Sequence, residues 1–382
     1  MGNIFRLNSL FEYEIALFPK ILELNKKLKS TNASLEYLFI PIADKSDFVL
    51  ISENISTELL EYWKSKQIHH ANCVYINQIQ DSFSLNEWGN TSCIQDSKLV
   101  YDKDIIKDSR YFNSKVNQCI IKSKLGINPF QAKVIHSSEE LLDFMKKDRL
   151  PYVIKYEFGF SGRNKNLIKN LENYNELKGE INWKQNPKLV VEEWLGEYKT
   201  SDFSGVFQSN QNVLEFLCIT EMLITKEGSY KGSIIKPHKN YSFQKSLIEN
   251  TKLMFQNLEI PYTGSLSVDG FWYTFQNKEI CQYVSEINFR YSMGRILYEF
   301  HKSYGRECKE YSLIILSLKN AKLTFQNLTL IFSNVEKNYN CRIFLLTPLH
   351  DSEKKVYHFI VIYIEIYGES KTEQIVSVLK KI

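Results

Sequence analysis

The chain lacks most of the marks by which a sequence announces a special class. Its seven cysteines, Cys73, Cys93, Cys119, Cys218, Cys281, Cys308 and Cys341, form no C-x-x-C pair. The odd count and wide spacing argue against a disulfide framework or a structural zinc site, and for reduced thiols in a cytoplasmic protein. Long apolar runs are missing too. The best stretch, residues 357–367, is too short to span a membrane and carries Glu365. Glu12 and Glu14 inside the first apolar stretch exclude a secretory signal, and Arg6 stands where a myristoylation site needs Ser or Thr. Charge of one sign is scarce: 48 basic against 44 acidic residues leave +4, which gives no argument for a nucleic-acid or membrane partner, and none is expected. No repeat and no low-complexity tract interrupts the 382 residues. The G-K-[ST] ending of a P-loop and the G-x-G-x-x-G of a dinucleotide site are both absent from the glycine loop described below.

What remains is an ordinary globular balance, 43% hydrophobic and 24% charged, in a chain long enough for two or three lobes. Apolar spacing predicts a helix over 13–28 and another over 55–66. Short strands are expected at 35–41, 48–51 and 73–76, and a polar loop at 81–90. That alternation points to a small α/β lobe with a parallel sheet. A helix is expected over 113–125, closed by Gly126, and another from Ser137 to about Lys147. From Pro151 onward strands dominate: 152–155, 189–195, a hairpin at 203–207 and 213–222, and an antiparallel pair at 264–269 and 280–288. A helix over 242–256 lies between them. Residues 310–382 read as three strands and a closing helix.

Four places in this pattern carry candidate chemistry. In a strand, residues i, i+2 and i+4 share a face, so Glu286, Asn288 and Arg290 present a carboxylate, an amide oxygen and a guanidinium together. Magnesium takes one or two carboxylates plus substrate phosphates, and arginine forks onto phosphate oxygens. A merely polar strand face fits the same spacing. Asp269 offers a second carboxylate, or a turn residue, since Gly270 follows it. Lys155 ends a buried strand before a loop containing Gly159, Ser161 and Gly162, which suits a phosphate site or a plain hairpin turn. Glu192-Glu193-Trp194-Leu195 ends another strand in acids that suit an adenine edge or simply reach solvent. His69, His70 and Cys73 have no further ligand at useful spacing, and the other histidines fall in no catalytic grouping.

The order of these pieces, Lys115, Lys155 with its glycine loop, Glu192 to Leu195, Asp269, then Glu286-x-Asn288-x-Arg290, resembles the ATP-grasp superfamily over residues 113–294. The resemblance implies a fold of mixed α/β and α+β character. A small N-terminal α/β lobe (1–110) precedes a two-lobed ATP-grasp domain (111–187 and 188–305), and a C-terminal extension (306–382) packs on it. It implies that Lys115 and Lys155 bind ATP phosphates under the loop of Gly159, Ser161 and Gly162. Glu192, Glu193, Trp194 and Leu195 would hold the adenine, with Glu197 nearest to the ribose. Asp269, Glu286 and Asn288 would bind magnesium, or manganese in its place. Arg290 and Lys155 would serve the transferring phosphate. Ser114 replaces the usual aspartate before Lys115, Tyr291 follows the arginine where proline or serine is frequent, and Met222 replaces the lysine of a frequent Thr-Glu-Lys. The implied reaction joins a small-molecule or peptide carboxylate to an amine through an acyl phosphate, releasing ADP and phosphate. Kinase- or carboxylase-type chemistry, or nucleotide binding without turnover, are the alternatives. A homodimer would suit the family. Trp88-Gly89, Lys236-Pro237-His238 and residues 291–295 are candidate substrate-lining segments.

Overall fold

The computed structural model describes residues 2–19, 26–127, 132–145, 151–159, 165–183, 187–196, 198–210, 213–225, 229–320, 322–351 and 353–380. Ser161, Gly162 and Glu197 lie outside these residues.

The first lobe is built on four short parallel strands, β1 (Asn3–Arg6), β2 (Phe48–Leu50), β3 (Asn72–Val74) and β4 (Ser84–Glu87), in the order β3-β2-β1-β4. Helices α1 (Phe11–Leu17), α2 (Lys26–Glu36) and α3 (Thr57–Ser65) connect and cover them. The helix expected over 13–28 is not continuous, because Pro19 has no N–H to bond the Ile15 carbonyl. Arg110 donates to that carbonyl instead. The strand expected at 35–41 is the end of α2 followed by a 3-10 turn, Tyr37–Phe39, buried as a block. A short apolar run has no periodicity of its own, so the surrounding core decides its conformation. The loop expected at 81–90 contains β4. Its polarity misled because Glu87 is buried by pairing with Arg6 rather than by being apolar.

A hairpin of β5 (Ser92–Gln95) and β6 (Lys98–Tyr101) leads to α4 (Lys103–Asn113) and α5 (Lys115–Leu125). The helix expected at 113–125 is α5, which begins two residues later, and α4 is a further helix before it. Extended Ser114 (ψ 113°) separates them and caps α5 by accepting from Asn117 N at 3.2 Å. Gly126 closes α5 at φ 65°, a left-handed position that suits glycine.

A four-stranded antiparallel sheet follows, β7-β10-β8-β9, made of β7 (Ala132–Ile135), β8 (Tyr152–Tyr156), β9 (Lys165–Ile168) and β10 (Leu189–Glu193). Helices α6 (Ser138–Met145) and α7 (Leu171–Glu180) pack on it around Ile154, Leu177 and Val191. The expected boundary at 187/188 would cut β10 from the sheet that it joins, since β10 pairs with β7 and β8 through Glu192.

The largest sheet has eight antiparallel strands in the order β15-β14-β11-β12-β13-β16-β18-β17. The strands are β11 (Lys199–Asn210), β12 (Val213–Ile224), β13 (Tyr230–Ile235), β14 (Gly264–Phe275), β15 (Lys278–Asn288), β16 (Glu310–Ser317), β17 (Cys341–Leu345) and β18 (Phe359–Ile366). Helices α8 (Gln244–Gln256), α9 (Met293–Tyr304), α10 (Phe325–Tyr339) and α11 (Thr372–Leu379) accompany them. The three strands of the C-terminal region therefore continue this sheet beyond β13, and α10 lies between two of them. One apolar core runs from Phe11, Phe39 and Trp63 through Phe300 to Phe344 and Tyr363. Tyr62 and Trp63 of α3 donate to the β17 carbonyls of Ile343 and Leu345 at 3.0 and 2.8 Å, tying the first lobe to the last strands.

Candidate active site

The three sheets and the first-lobe helices surround a cavity of about 1230 Å³. Pockets for one small ligand run to roughly 300–1,000 Å³, so a nucleotide and a second substrate fit together here. The cavity is lined by Lys115, Lys155, Gly159, Glu192, Glu193, Trp194, Leu195, Asp269, Glu286, Asn288 and Arg290, so the structure gathers the described candidates in one place. Trp88 and Ser292, Met293 and Gly294 line it as well. Lys236 does not: it lies outside the lining and bonds Glu221 at 2.6 Å, because alternation on β12 turns Thr220 and Met222 inward and Glu221 away.

At the centre, antiparallel register sets Asp269 of β14 directly opposite Glu286 of β15. Asp269 is a mid-strand residue, not part of a turn. Gly270 is needed there because a Cβ would meet the Phe203 ring at 2.4 Å and the Gln282 carbonyl at 2.6 Å. Two carboxylates in register repel. Burial, with Glu286 adding to it, pushes the Asp269 acid up to about 6. Burial also works against ionisation of Glu286, but Lys115, Lys155 and Arg290 outweigh it and hold that acid below its usual range. Asn288 donates to Asp269 at 2.9 Å and accepts from Arg290 at 3.3 Å. The strand ends at Asn288, and Arg290 is brought round by a tight turn whose N–H donates to the Asn288 carbonyl at 3.0 Å. The guanidinium reaches the shared patch from beyond the strand, paired with Glu12 of α1 at 2.6 Å and 5.8 Å from the Trp88 ring.

The lysines come from two elements. Lys115, in the first turn of α5, donates to Glu286 at 2.6 Å and to the Gly159 carbonyl at 2.8 Å. Ser114 fixes this helix start on the end of β8, donating to the Glu157 carboxylate at 2.6 Å, while Lys115 N donates to the Glu157 carbonyl at 3.1 Å. Ser114 thus has a structural task at the position where aspartate was expected. Lys155 of β8 donates to Glu192 of β10 at 2.5 Å. Burial disfavours charge on Glu192, yet Lys155 and Lys122 hold it ionised and below the usual carboxylate range. The Glu192 carboxylate is therefore engaged by lysine rather than free at the adenine end. Trp194 N donates to the Pro151 carbonyl at 2.9 Å.

Sequence reasoning missed the inner face of α5. The free edge of β15 carries backbone groups that no strand pairs. Side chains satisfy them instead: Asn113 accepts from Phe289 N at 3.1 Å, and Gln118 accepts from Ile287 N at 2.9 Å while donating to Ile287 O at 2.7 Å. Lys122 donates to Ser285 O at 2.6 Å. Lys115, Gln118 and Lys122 follow i, i+3, i+7 spacing, a helical stripe that was open to detection as polar residues where an inner face expects apolar ones. Glu12 carried no such signal. Among the described residues no group of three His, Cys, Asp or Glu stands ready for a metal, so any cation here would need the Asn288 amide oxygen.

No protein-family model and no curated protein matches the sequence. Solved structures do match it in shape. N5-carboxyaminoimidazole synthetase from Staphylococcus aureus, complexed with ADP, has a TM-score of 0.54 at 13% identity, covering 99% of this chain and 97% of that one. Phosphoribosylamine–glycine ligase from Thermotoga maritima scores 0.58 at 14% identity, covering 99% and 96%. L-amino acid ligase from Bacillus licheniformis scores 0.52 at 10% identity, covering 100% and 97%. Agreement of this extent with a synthetase and two ligases, over a chain whose parallel lobe, small sheet and large sheet enclose one cavity, gives this protein the ATP-grasp fold.

Proposed function

We propose that this protein is an ADP-forming ligase that activates a substrate carboxylate as an acyl phosphate at the expense of ATP and joins it to an amine. The observation that carries the reading is the opposition of Asp269, Glu286 and Asn288 to Lys115, Lys155 and Arg290 within one cavity. The ADP complex and the ligase names among the structural neighbours support it.

The donor set fits a hard divalent cation. Two carboxylates in register and an amide oxygen supply oxygen ligands, and the raised Asp269 acid marks a pair of charges that a cation would relieve. Asp269, Glu286 and Asn288 would hold magnesium, which when bound neutralises charge on the transferring phosphoryl group. The chain's own part is positioning. Lys115 and Lys155 exchange their carboxylate partners for phosphate oxygens, and Arg290, oriented by Glu12 and Asn288, holds the γ-phosphoryl oxygens in line with the attacking carboxylate. The amine then attacks the acyl carbon and phosphate leaves. No enzyme nucleophile is required. Glu192 to Leu195 hold the adenine at the far end, and the wall of Glu12, Tyr13, Leu35 and Trp88 faces the substrates. The seven free cysteines support a cytoplasmic setting. Among the described residues no helix is long and apolar enough to cross a membrane.

The test is ADP and phosphate release with a panel of carboxylic acids and amines, wild type against Glu286→Ala and Asn288→Ala. Loss of substrate-dependent release in both variants and an amide product support the reading. Unchanged turnover overturns it, and a stable phosphorylated product turns it into a kinase.

A further inference from the structure

Lys122 is a buried ammonium that the proposed reaction does not use. It is 3% exposed, and its ammonium donates to the Ser285 carbonyl, a neutral acceptor. An amide side chain would cap that carbonyl without the cost of burying a charge. Helix α5 packs on β10 through Val116, Cys119 and Val190, so Lys122, one helical turn beyond Cys119, and Glu192, two strand residues beyond Val190, lie on the facing surfaces of the two elements. Burial lowers the pKa of Lys122, and the strongest attraction opposing that effect comes from Glu192. The cluster at the cavity wall, with Lys122 behind it, therefore holds three lysines, 115, 122 and 155, against two glutamates, 192 and 286. In the ligand-free arrangement Lys155 pairs with Glu192 and Lys115 with Glu286, which leaves Lys122 as surplus charge.

That surplus has a purpose once nucleotide arrives, and here the argument rests on the functional reading above. Phosphates that recruit Lys155 take it away from Glu192. Glu286 can turn to the cation, but Glu192 is 5% exposed and cannot turn to water. A buried carboxylate stripped of its partner takes up a proton or resists the change. Lys122 remains in place, anchored by Ser285. We propose that Lys122 is the positioning residue that keeps Glu192 ionised, and the nucleotide pocket in shape, when Lys155 moves to the phosphates. Among the described residues, the other charged or titratable groups that act most on Glu192 are Lys155 on β8, the Cys119 thiol on α5 and Glu286 on β15, and of these Lys155 is the cation.

Lys122→Gln separates the two roles, since the amide still reaches for the Ser285 carbonyl but carries no charge. Isothermal titration of MgADP, in two buffers of different ionisation heat between pH 7.5 and 9, counts the protons exchanged. Wild type and Lys122→Arg are expected to bind with no net proton uptake. Lys122→Gln is expected to take up about one proton per nucleotide, with a Kd that rises up to about tenfold per pH unit. Should Lys122→Gln fail to fold, the double variant Lys122→Gln/Glu192→Gln, which has no carboxylate to leave stranded, is expected to fold, and at the MgADP concentrations that its altered adenine contact requires it is expected to bind with no proton uptake. A Lys122→Gln protein that matches wild type in affinity and proton count overturns this inference alone, as does a double variant no better than the single one. A wild-type protein that does not bind MgADP overturns the functional reading and this inference with it.

Discussion

Gln118→Leu removes the clamp that holds the C-terminal end of β15. Gln118 is 4% exposed and meets both backbone groups of Ile287, at 2.9 and 2.7 Å, with a further bond from its amide to the Phe112 carbonyl at 3.1 Å. Leucine fills a similar volume but offers no polar atom, so the Ile287 N–H and C=O stay buried without partners. Each orphaned group costs about 1–3 kcal/mol, which puts the expected destabilisation at roughly 2–6 kcal/mol. Ile287 lies between Glu286 and Asn288, so slackening at this point also loosens two of the three proposed cation ligands. Urea denaturation followed by tryptophan fluorescence gives the stability change, and titration with MgADP gives the effect on the site. A loss of under about 1 kcal/mol with unchanged MgADP affinity would refute the idea that α5 side chains stand in for a missing neighbouring strand.

Asp269→Asn is expected to stabilise the ligand-free protein while abolishing magnesium-dependent turnover. The folded acid is raised from 3.8 to about 6, so the folded state binds the proton more tightly and stability falls as pH rises from about 4 to about 6. Above that window the asparagine variant should gain about 2–3 kcal/mol over wild type, and at pH 4 nearly nothing. Thermal melts at the two pH values check this, and an equal gain at both contradicts it. Arg290→Lys keeps a charge but loses the fork that spans Glu12, Asn288 and a phosphate, so kcat should fall by roughly 10²-fold with a smaller change in the KM for ATP. Steady-state kinetics decide, and an unchanged kcat removes Arg290 from the reaction. Truncation after Gly305 strips β16 from the edge of β13 and uncovers Tyr62, Trp63 and Phe300, and the product should be insoluble or aggregated. A monodisperse truncated protein on size exclusion would show the C-terminal strands to be an independent unit.

The candidate site was legible wherever its logic is local. Strand alternation places Glu286 beside Asn288 whatever the rest of the fold does, and an apolar run ending in Lys155 or in Glu192-Glu193 marks a strand whose end is polar for a reason. The order of these pieces along the chain was enough to point to the fold and to a nucleotide. Register was not legible. That Asp269 faces Glu286, and that Gly270 is pressed by Phe203 rather than turning the chain, follows from pairing between strands and from packing across the sheet. Burial was not legible either: nothing local marks Lys122 as buried, and Glu192 at a strand end suited solvent as well as a ligand, until α5 packs against β10. The same holds for residues 37–39, where an apolar run became a 3-10 turn, and for β16 to β18, whose strand character was plain but whose place in the large sheet was not. The sequence by itself determined which side chains share a face and in what order the chemistry is strung. The tertiary structure decided which charges meet, because the energy of a buried charge depends on partners far away along the chain.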